Sequence, residues 1–153
     1  MTQRILFVCL GNICRSPSAE GVVKRKAALR DVNLDCDSAG TGAYHVGEPP
    51  YGAMQRAAIS RGYDLSDLRA RQVTRPDFAA FDLLVAMDAD NLAHLERMRP
   101  QGGAEVVLFT DYAPDCGTNT VPDPYYTRDF DGTLDLIERC AEGLLDALAA
   151  APR

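Results

Sequence analysis

Three short apolar runs and one segment of mixed polarity mark four predicted strands. Residues 5–8 (ILFV) are apolar at every position, which is typical of a strand buried on both faces of a parallel sheet. The other strands are predicted at residues 33–38, 81–87 and 105–109. The intervals between these runs are long enough to hold connecting helices.

Helical patterns fill those intervals. Ser16 and Pro17 look like an N-cap followed by proline at the first helical position, which predicts a helix over residues 17–30. Helical stretches are also predicted at residues 51–61 and 91–98, and apolar residues at helical spacing predict a final amphipathic helix from Leu134 to Leu148. Residues 111–131 hold three prolines and five aspartates with little periodicity, so we expect a long loop there.

Alternating strands and helices favour an α/β fold with right-handed crossovers. The predicted architecture is a doubly wound, four-stranded parallel sheet flanked by helices on both faces, and residues 1–153 are expected to form a single domain. In such sheets ligands bind beyond the carboxyl ends of the strands. Cys9 lies at the end of the first predicted strand.

Composition and charge exclude several classes of protein. A net charge of -6 and a pI near 4.8 argue against a nucleic-acid partner, because binding to a phosphate backbone needs clustered cations. The basic residues near Lys24 are expected to form only a solvated helix face. No apolar run approaches the roughly 18 residues of a membrane span, so we expect a cytoplasmic protein that does not enter a membrane.

The cysteines argue against a disulfide framework and against a metal site. Five cysteines, an odd number, are scattered through the chain. Cys9 and Cys14 have no second pair with zinc-ligand spacing, and only His45 and His94 could add ligands. We therefore expect no zinc site.

The stretch VCLGNICRSP, residues 8–17, is the clearest candidate for chemistry. It lies between a predicted strand and a predicted helix, so the amides of residues 10–15 can surround an anion at the helix N-terminus. Gly11 permits a tight turn, and Asn12 tolerates a left-handed backbone. Arg15 can hold two oxygens of a phosphate with its planar guanidinium.

A thiol in that cradle is expected to ionise. Cys9 would be a thiolate at neutral pH, with the Ser16 hydroxyl as a hydrogen-bond donor, and would attack phosphorus to form a phosphocysteine. The alternative is a buried structural cysteine with a surface arginine. For Cys14, simple packing and a reversible disulfide with Cys9 both remain open.

A catalytic acid is expected in the aspartate-rich loop. Asp123 lies between Pro122 and Pro124, which stiffen the backbone, and Tyr125 and Tyr126 follow. A rigid mount suits a group that protonates an aryl oxide, although Asp-Pro is also an ordinary turn. From spacing alone, both interpretations of Asp123 remain open.

These segments together resemble the low-molecular-weight protein tyrosine phosphatases. Residues 8–17 match the phosphate-binding loop of that family, and residues 123–126 (DPYY) match its acid loop. Residues 37–40 (DSAG), 70–72 (ARQ) and 87–88 (MD) fall between them in the expected order. The resemblance covers essentially the whole chain.

The resemblance implies a phosphotyrosine phosphatase I-like fold and hydrolysis of phosphotyrosine and small aryl phosphates, with no metal and no cofactor. Cys9 would be the nucleophile, Arg15 the phosphate clamp, and Asp123 the general acid and then the base. The partners implied are phosphotyrosyl proteins, with a tyrosine kinase among the candidates, and inorganic phosphate is the product. A monomer is expected, with weak dimerisation left open.

The resemblance also implies a set of substrate-binding residues. Asn12 and Ser38 would shape the loop, and Tyr44 and Tyr125 would wall a slot for the phenyl ring, although partly buried packing is the alternative for each tyrosine. His45 is expected to be an exposed loop residue. The full substrate-binding set is Leu10, Gly11, Asn12, Ile13, Cys14, Ser16, Ser38, Tyr44, Tyr125 and Tyr126.

Two departures from the family pattern are visible. Leu68 stands where members often have a histidine in the hydrogen-bond network that supports the phosphate loop, so a thinner network is expected. Thr127 replaces the glycine that commonly follows the paired tyrosines, which bears on the flexibility of the acid loop.

Three other functions remain open. An arsenate reductase on the same fold would also use Cys9 and Arg15, but it needs further cysteines near the site, and residues 85–89 contain none. A phosphocysteine carrier like the sugar phosphotransferase IIB components would shield its intermediate from water, which Arg15 and Asp123 speak against. A phosphotyrosine-binding module would need no thiolate.

Overall fold

Four parallel strands form one sheet within residues 2–150, the part of the chain that the structure, a computed structural model, describes. The strands are β1 (Gln3–Cys9), β2 (Leu34–Gly40), β3 (Leu83–Ala86) and β4 (Glu105–Leu108). Their order is β2-β1-β3-β4, so β1 pairs with both β2 and β3. The predicted α/β class and all four strands are confirmed, with shifts of a few residues at their ends.

Six helices connect and cover the sheet in the described part of the chain. They are α1 (Arg15–Leu29), α2 (Gly52–Ile59), α3 (Asp77–Ala80), α4 (Ala89–Met98), α5 (Pro124–Thr127) and α6 (Phe130–Ala150). The long loop predicted at residues 111–131 is wrong in part, because it contains α5 and the end of a 3-10 turn at Phe109–Tyr112, and α6 begins inside it. The 3-10 turn and α5 have four residues each, too few to show a period.

The start of α1 differs from the prediction. The helix begins at Arg15, with Cys14 at the N-cap position and no side-chain cap, and Pro17 is its third residue. Ser16 is not the cap, because its hydroxyl faces Cys9. Proline is tolerated at this position because the first N–H groups of a helix have no partner within the helix.

Alternate residues of β1 face opposite sides of the sheet. Ile5 and Phe7 belong to the larger apolar core, which contains buried side chains of α1 and α6. Leu6 and Val8 belong to a second core with Phe78 of α3 and other apolar residues. Both faces of β1 are therefore buried, as its unbroken apolar sequence predicts.

The strand order places a crevice at the carboxyl end of β1. The chain leaves β1 towards β2 on one side and later returns to β3 on the other, and ligands bind at such a switch point in open parallel sheets. Cys9 is the last residue of β1. Separately, no helix within residues 2–150 is long and apolar enough to cross a membrane.

Candidate active site

The loop after β1 wraps around the Cys9 sulfur. The Asn12 backbone N–H donates to the Cys9 Sγ at 3.2 Å, and the Ser16 Oγ lies 3.1 Å from the same sulfur. Cys9 is only 3% exposed. The thiol therefore sits at the base of the loop, at the N-terminal end of α1.

Asn12 has the left-handed backbone that the sequence predicts, with φ at 57°. Its side-chain Nδ2 donates to the Ser16 Oγ at 2.8 Å and to the Ser38 Oγ at 3.0 Å. Its Oδ1 accepts the Arg71 backbone N–H at 3.0 Å. Asn12 thus joins the loop, α1, β2 and the segment before α3.

Gly11 lies in the bend between β1 and α1, and its missing side chain also leaves room for a neighbouring ring. Its backbone is not left-handed. A Cβ placed on Gly11 would lie 3.2 Å from the His45 ring, so the missing side chain makes room for that ring. His45 was expected to be an exposed loop residue, but its ring lines the cleft and its Nδ1 lies 2.9 Å from the Glu48 Oε2.

Arg15 is nearly buried and is held by three oxygens. Its Nη1 donates to the Asp88 Oδ2 at 2.7 Å and to the Val121 carbonyl at 3.2 Å, and its Nη2 lies 3.6 Å from the Asp123 Oδ2. Burial alone would lower the pKa of Arg15, but the charge of Cys9 and the hydrogen bond to Asp88 raise the pKa above its ordinary value. The guanidinium is a permanent cation beside the sulfur.

Asp88 was missed as a site residue by the sequence analysis. It lies two residues after β3 and caps α4 by accepting the Asn91 backbone N–H at 2.7 Å. The signal was present in the sequence, because Asp88 follows a predicted strand just as Cys9 ends one. The carboxyl ends of β1 and β3 are adjacent, which brings Asp88 to Arg15.

Asp123 is the N-cap of α5. Its Oδ1 accepts the Tyr125 backbone N–H at 3.1 Å, which leaves Oδ2 facing Arg15. Pro124 occupies the first position of the helix, where its missing N–H costs nothing. The side chain of Asp123 is 26% exposed, so it reaches both the cleft and solvent.

These side chains meet in a cleft of about 320 Å³. Ten of the thirteen residues assigned to the site from the sequence line it, whereas Asn12, Ser16 and Ser38 support the loop from behind. The lining residues are Cys9, Leu10, Gly11, Ile13, Cys14, Arg15, Tyr44, His45, Asp123, Tyr125 and Tyr126.

Aromatic contacts fix the wall of the cleft beside Asp123. Tyr125 packs edge-on against Tyr51 and Tyr126, with ring centroids 5.5 and 5.3 Å apart. Arg128 has a left-handed backbone with φ at 64°, donates to the Tyr51 hydroxyl at 2.8 Å and lies over both Tyr51 and Tyr125. With Thr127 in place of glycine, the left-handed residue that ends α5 is Arg128.

The other buried cysteines are poor nucleophiles at neutral pH. Burial, followed by the negative charge of Asp123, raises the pKa of Cys14 to about 12. Burial likewise raises the pKa of Cys36 and of Cys140 to about 12. All five cysteines are free thiols, and Cys14 stays protonated close to Cys9.

The hydrogen-bond network behind the loop continues despite Leu68, which packs against the larger core. The Ser38 hydroxyl donates to the Glu20 Oε1 at 2.7 Å. Glu20 is 3% exposed. The sequence analysis did not assign Glu20, because its partner is distant in sequence.

Fold and site together define a phosphate-handling cysteine enzyme of the α/β class. Residues 4–152 match the family of low molecular weight phosphotyrosine protein phosphatases, and the chain belongs to this family. It is 39% identical over 147 residues to the low molecular weight protein-tyrosine-phosphatase YfkJ of Bacillus subtilis, covering 94% of each chain. It is 42% identical to the low molecular weight protein-tyrosine-phosphatase of Streptomyces coelicolor, covering 97% of this chain and 94% of that one.

A solved structure supports the same assignment. The protein tyrosine phosphatase from Entamoeba histolytica, crystallised with Hepes in the active site, superposes with a TM-score of 0.90 at 38% identity. The match covers 96% of this chain and 97% of that chain. The resemblance inferred from the loop motifs is therefore confirmed for the family and the fold.

Proposed function

We propose that the protein hydrolyses phosphotyrosine through a phosphocysteine on Cys9. The observation that carries the proposal is the convergence of a buried thiol, a permanent cation and a partly exposed carboxyl group in one cleft. Family membership supports the reaction class. The roles of the individual residues rest on geometry.

In the first step the Cys9 thiolate attacks phosphorus in line with the phenolic oxygen. The S–P bond forms as the P–O bond to the phenol breaks, and Asp123 gives its proton to the departing tyrosine oxygen. Arg15 holds two nonbridging oxygens and stabilises their charge in the transition state.

In the second step water attacks the phosphocysteine. Asp123, now a carboxylate, accepts a proton from that water as the new O–P bond forms and the S–P bond breaks. Inorganic phosphate leaves, and the Cys9 thiolate and the protonated Asp123 are restored. Atoms and charge balance over the two steps without a further reactant.

The walls of the cleft favour an aryl ester. Leu10, Ile13 and the rings of Tyr44 and Tyr125 line the path to Cys9. A phenyl ring fills such a slot, whereas a phosphoserine is too short to bring its phosphorus to the sulfur. A phosphoarginine would place guanidinium N–H donors against apolar walls, which costs free energy unless each finds a partner.

Hydrolysis of an aryl phosphate by the wild type, Cys9→Ser and Asp123→Ala, with chelator present, tests the mechanism. We expect Cys9→Ser to be inactive and Asp123→Ala to lose about 10²–10⁴-fold in rate, most with poor leaving groups. Mass spectrometry of rapidly quenched Asp123→Ala should reveal phosphocysteine. Wild-type rates for Cys9→Ser would contradict the proposal.

Matched peptides test the substrate class. Phosphotyrosine should be turned over faster than phosphoserine and phosphoarginine in the same sequence context. Equal turnover of the three would contradict an aryl slot. A persistent phosphocysteine in the wild type as well as in Asp123→Ala would instead indicate a phosphate carrier.

The proposal also covers the oligomeric state and the cellular location of the protein. Residues 1–153 would act as one monomeric domain on phosphotyrosyl proteins in the cytoplasm. Five reduced thiols are compatible with a reducing compartment. Sedimentation of the purified chain tests the monomer.

A further inference from the structure

A continuous chain of hydrogen bonds leads from Cys9 to Glu20, in the second turn of α1. The Cys9 Sγ lies 3.1 Å from the Ser16 Oγ, and Asn12 Nδ2 donates to both serine hydroxyls, Ser16 and Ser38. Ser38 in turn donates to the Glu20 Oε1. Every member from Cys9 to Glu20 is at most 4% exposed.

The groups at two positions, the Arg71 backbone N–H and the Glu20 carboxylate, determine which atom donates in each of these hydrogen bonds. The Arg71 backbone N–H can only donate, so the Asn12 oxygen must face it and the Asn12 Nδ2 must face the two serines. At the far end the Glu20 carboxylate can only accept, so the Ser38 proton points at Glu20 and the Ser38 oxygen is free to accept from Asn12.

This order decides where the Ser16 proton goes. Because the Ser16 oxygen accepts from Asn12, its own proton is directed to the Cys9 sulfur at 3.1 Å or to the more distant Ala39 carbonyl at 3.4 Å. A Ser16 hydroxyl that donates its proton to the sulfur stabilises the charged thiolate form of Cys9 rather than the neutral thiol. Loss of the Glu20 acceptor would leave the buried Ser38 hydroxyl without an acceptor for its proton.

Glu20 is kept as an acceptor by Lys24 one turn later in α1. The Lys24 Nζ donates to the Glu20 Oε2 at 2.6 Å, while the Lys24 side chain is 48% exposed. Burial alone would lower the pKa of Lys24, but the hydrogen bond and the charge of Glu20 raise it. The remote carboxylate therefore has a permanent cationic partner.

We propose that Glu20, held by Lys24, is a positioning residue that orients Ser38, Asn12 and Ser16 so that the Ser16 hydroxyl donates to the Cys9 thiolate. The role is indirect, since Glu20 touches neither substrate nor sulfur. The proposal rests on the thiolate mechanism and extends it to residues of α1 and β2 that do not line the cleft.

Other ionisable groups surround the two ends of this chain. Arg15, Cys14 and Asp123 face Cys9 from α1, the phosphate loop and the start of α5. Near Glu20 and Lys24 lie Cys36 and Asp37 of β2, and Arg25, Tyr63 and Asp64 border the same hollow. The variants below leave all of these groups in place.

Three substitutions of Glu20 separate its charge from its hydrogen bond. Glu20→Met removes both, Glu20→Asp keeps the charge but withdraws the carboxylate from Ser38, and Glu20→Gln keeps an acceptor without the charge. Glu20→Met and Glu20→Asp should shift the acid limb of kcat/KM upward and lower activity at pH 6 about three- to tenfold. Glu20→Gln should recover at least half of that loss.

A direct measurement follows the sulfur without using phosphatase activity. Alkylation of Cys9 by iodoacetamide, read on its peptide by mass spectrometry, should need a higher pH in Glu20→Met and Glu20→Asp than in the wild type. A wild type that hydrolysed no aryl phosphate would defeat the proposed function but leave this test intact. Glu142→Met is the control, because Glu142 pairs with Lys26 of α1 on the surface.

A double-mutant cycle with Ser38→Ala tests the route. If Glu20 acts through Ser38, Glu20→Asp should change the pH profile little once Ser38 is alanine. Full additivity would overturn the proposal, as would a Glu20→Gln profile matching that of Glu20→Met, or alkylation at the wild-type pH in both Glu20→Asp and Glu20→Met. Should Glu20→Met fail to fold, Glu20→Asp and Glu20→Gln decide the question.

Discussion

At the scale of single residues, Asn12 combines two requirements of the phosphate loop. Its backbone is left-handed, and its short amide uses both N–H donors and its oxygen within the protein. Glycine would satisfy the backbone alone. Asparagine satisfies both because it is among the few residues with a side chain that tolerate this conformation.

Replacing Asn12 by glycine and by alanine should separate those requirements. Both variants lose the side-chain bonds, and we expect kcat/KM to fall at least about tenfold in each, since the loop loses its support. Alanine also strains the backbone, so Asn12→Ala should unfold more easily than Asn12→Gly by about 1 kcal/mol in urea. Equal stability would contradict a strained φ. Asp31→Gly, at an exposed position with φ at 55°, is the control and should keep full activity.

At the scale of elements, α6 packs against the 3-10 turn at Phe109–Tyr112 and so positions the chain that leads to the loop with Asp123. Gly143 lies where α6 crosses the Tyr112 carbonyl, and a Cβ there would overlap that oxygen. Backbone cannot move aside as the end of a side chain can. The missing side chain therefore sets how closely helix and turn approach.

Gly143→Ala should destabilise the protein although alanine is the better helix former. We expect the overlap to cost up to about 3 kcal/mol, more than the gain of about 1 kcal/mol in helix propensity. Gly52→Ala is the matched control, because a Cβ there would meet only the Arg56 guanidinium at 3.4 Å. Thermal unfolding of both variants makes the comparison. A Gly143→Ala protein as stable as Gly52→Ala would show that the contact is loose.

At the scale of the whole molecule, one arginine ties distant segments to the phosphate loop. The Arg71 guanidinium pairs with Asp37 of β2 and Asp77 of α3, and its backbone bonds Asn12 and Gly40. Burial alone would raise the pKa of Asp77, but the Arg71 hydrogen bond and the Thr74 amide lower it below its ordinary value. Ionised Asp77 therefore stabilises the folded state.

The sign of the pH dependence follows from that lowered pKa. The contribution of Asp77 is present above its unfolded pKa of about 3.9 and is lost as the pH falls through the lower folded value. Asp77→Asn should cost about 2 kcal/mol at pH 7, with the difference shrinking below about pH 4. Asp82→Asn, which breaks the exposed pair with Arg4, should cost less than about 1 kcal/mol. Urea unfolding at pH 7 and pH 3 checks both, and a difference independent of pH would contradict the ionic role.

The sequence was most informative where chemistry is local. Cys9, Asn12 and Arg15 lie within seven consecutive residues, so their spacing alone predicts the loop. Asp88 and Glu20 reach the site only through strand pairing and helix packing, which no local pattern contains. The start of α1 was misplaced because Ser16, a good capping residue, is used by the sulfur instead.

The partners of Arg15 have a consequence for synthesis of the chain. Its guanidinium contacts oxygens of residues 88, 121 and 123, which all follow Cys9 by at least 79 residues. A nascent polypeptide that includes residues 8–17 but not residue 88 thus holds the proposed nucleophile but neither the proposed acid nor the groups that orient the arginine. We expect turnover to begin only after residue 123 has been made.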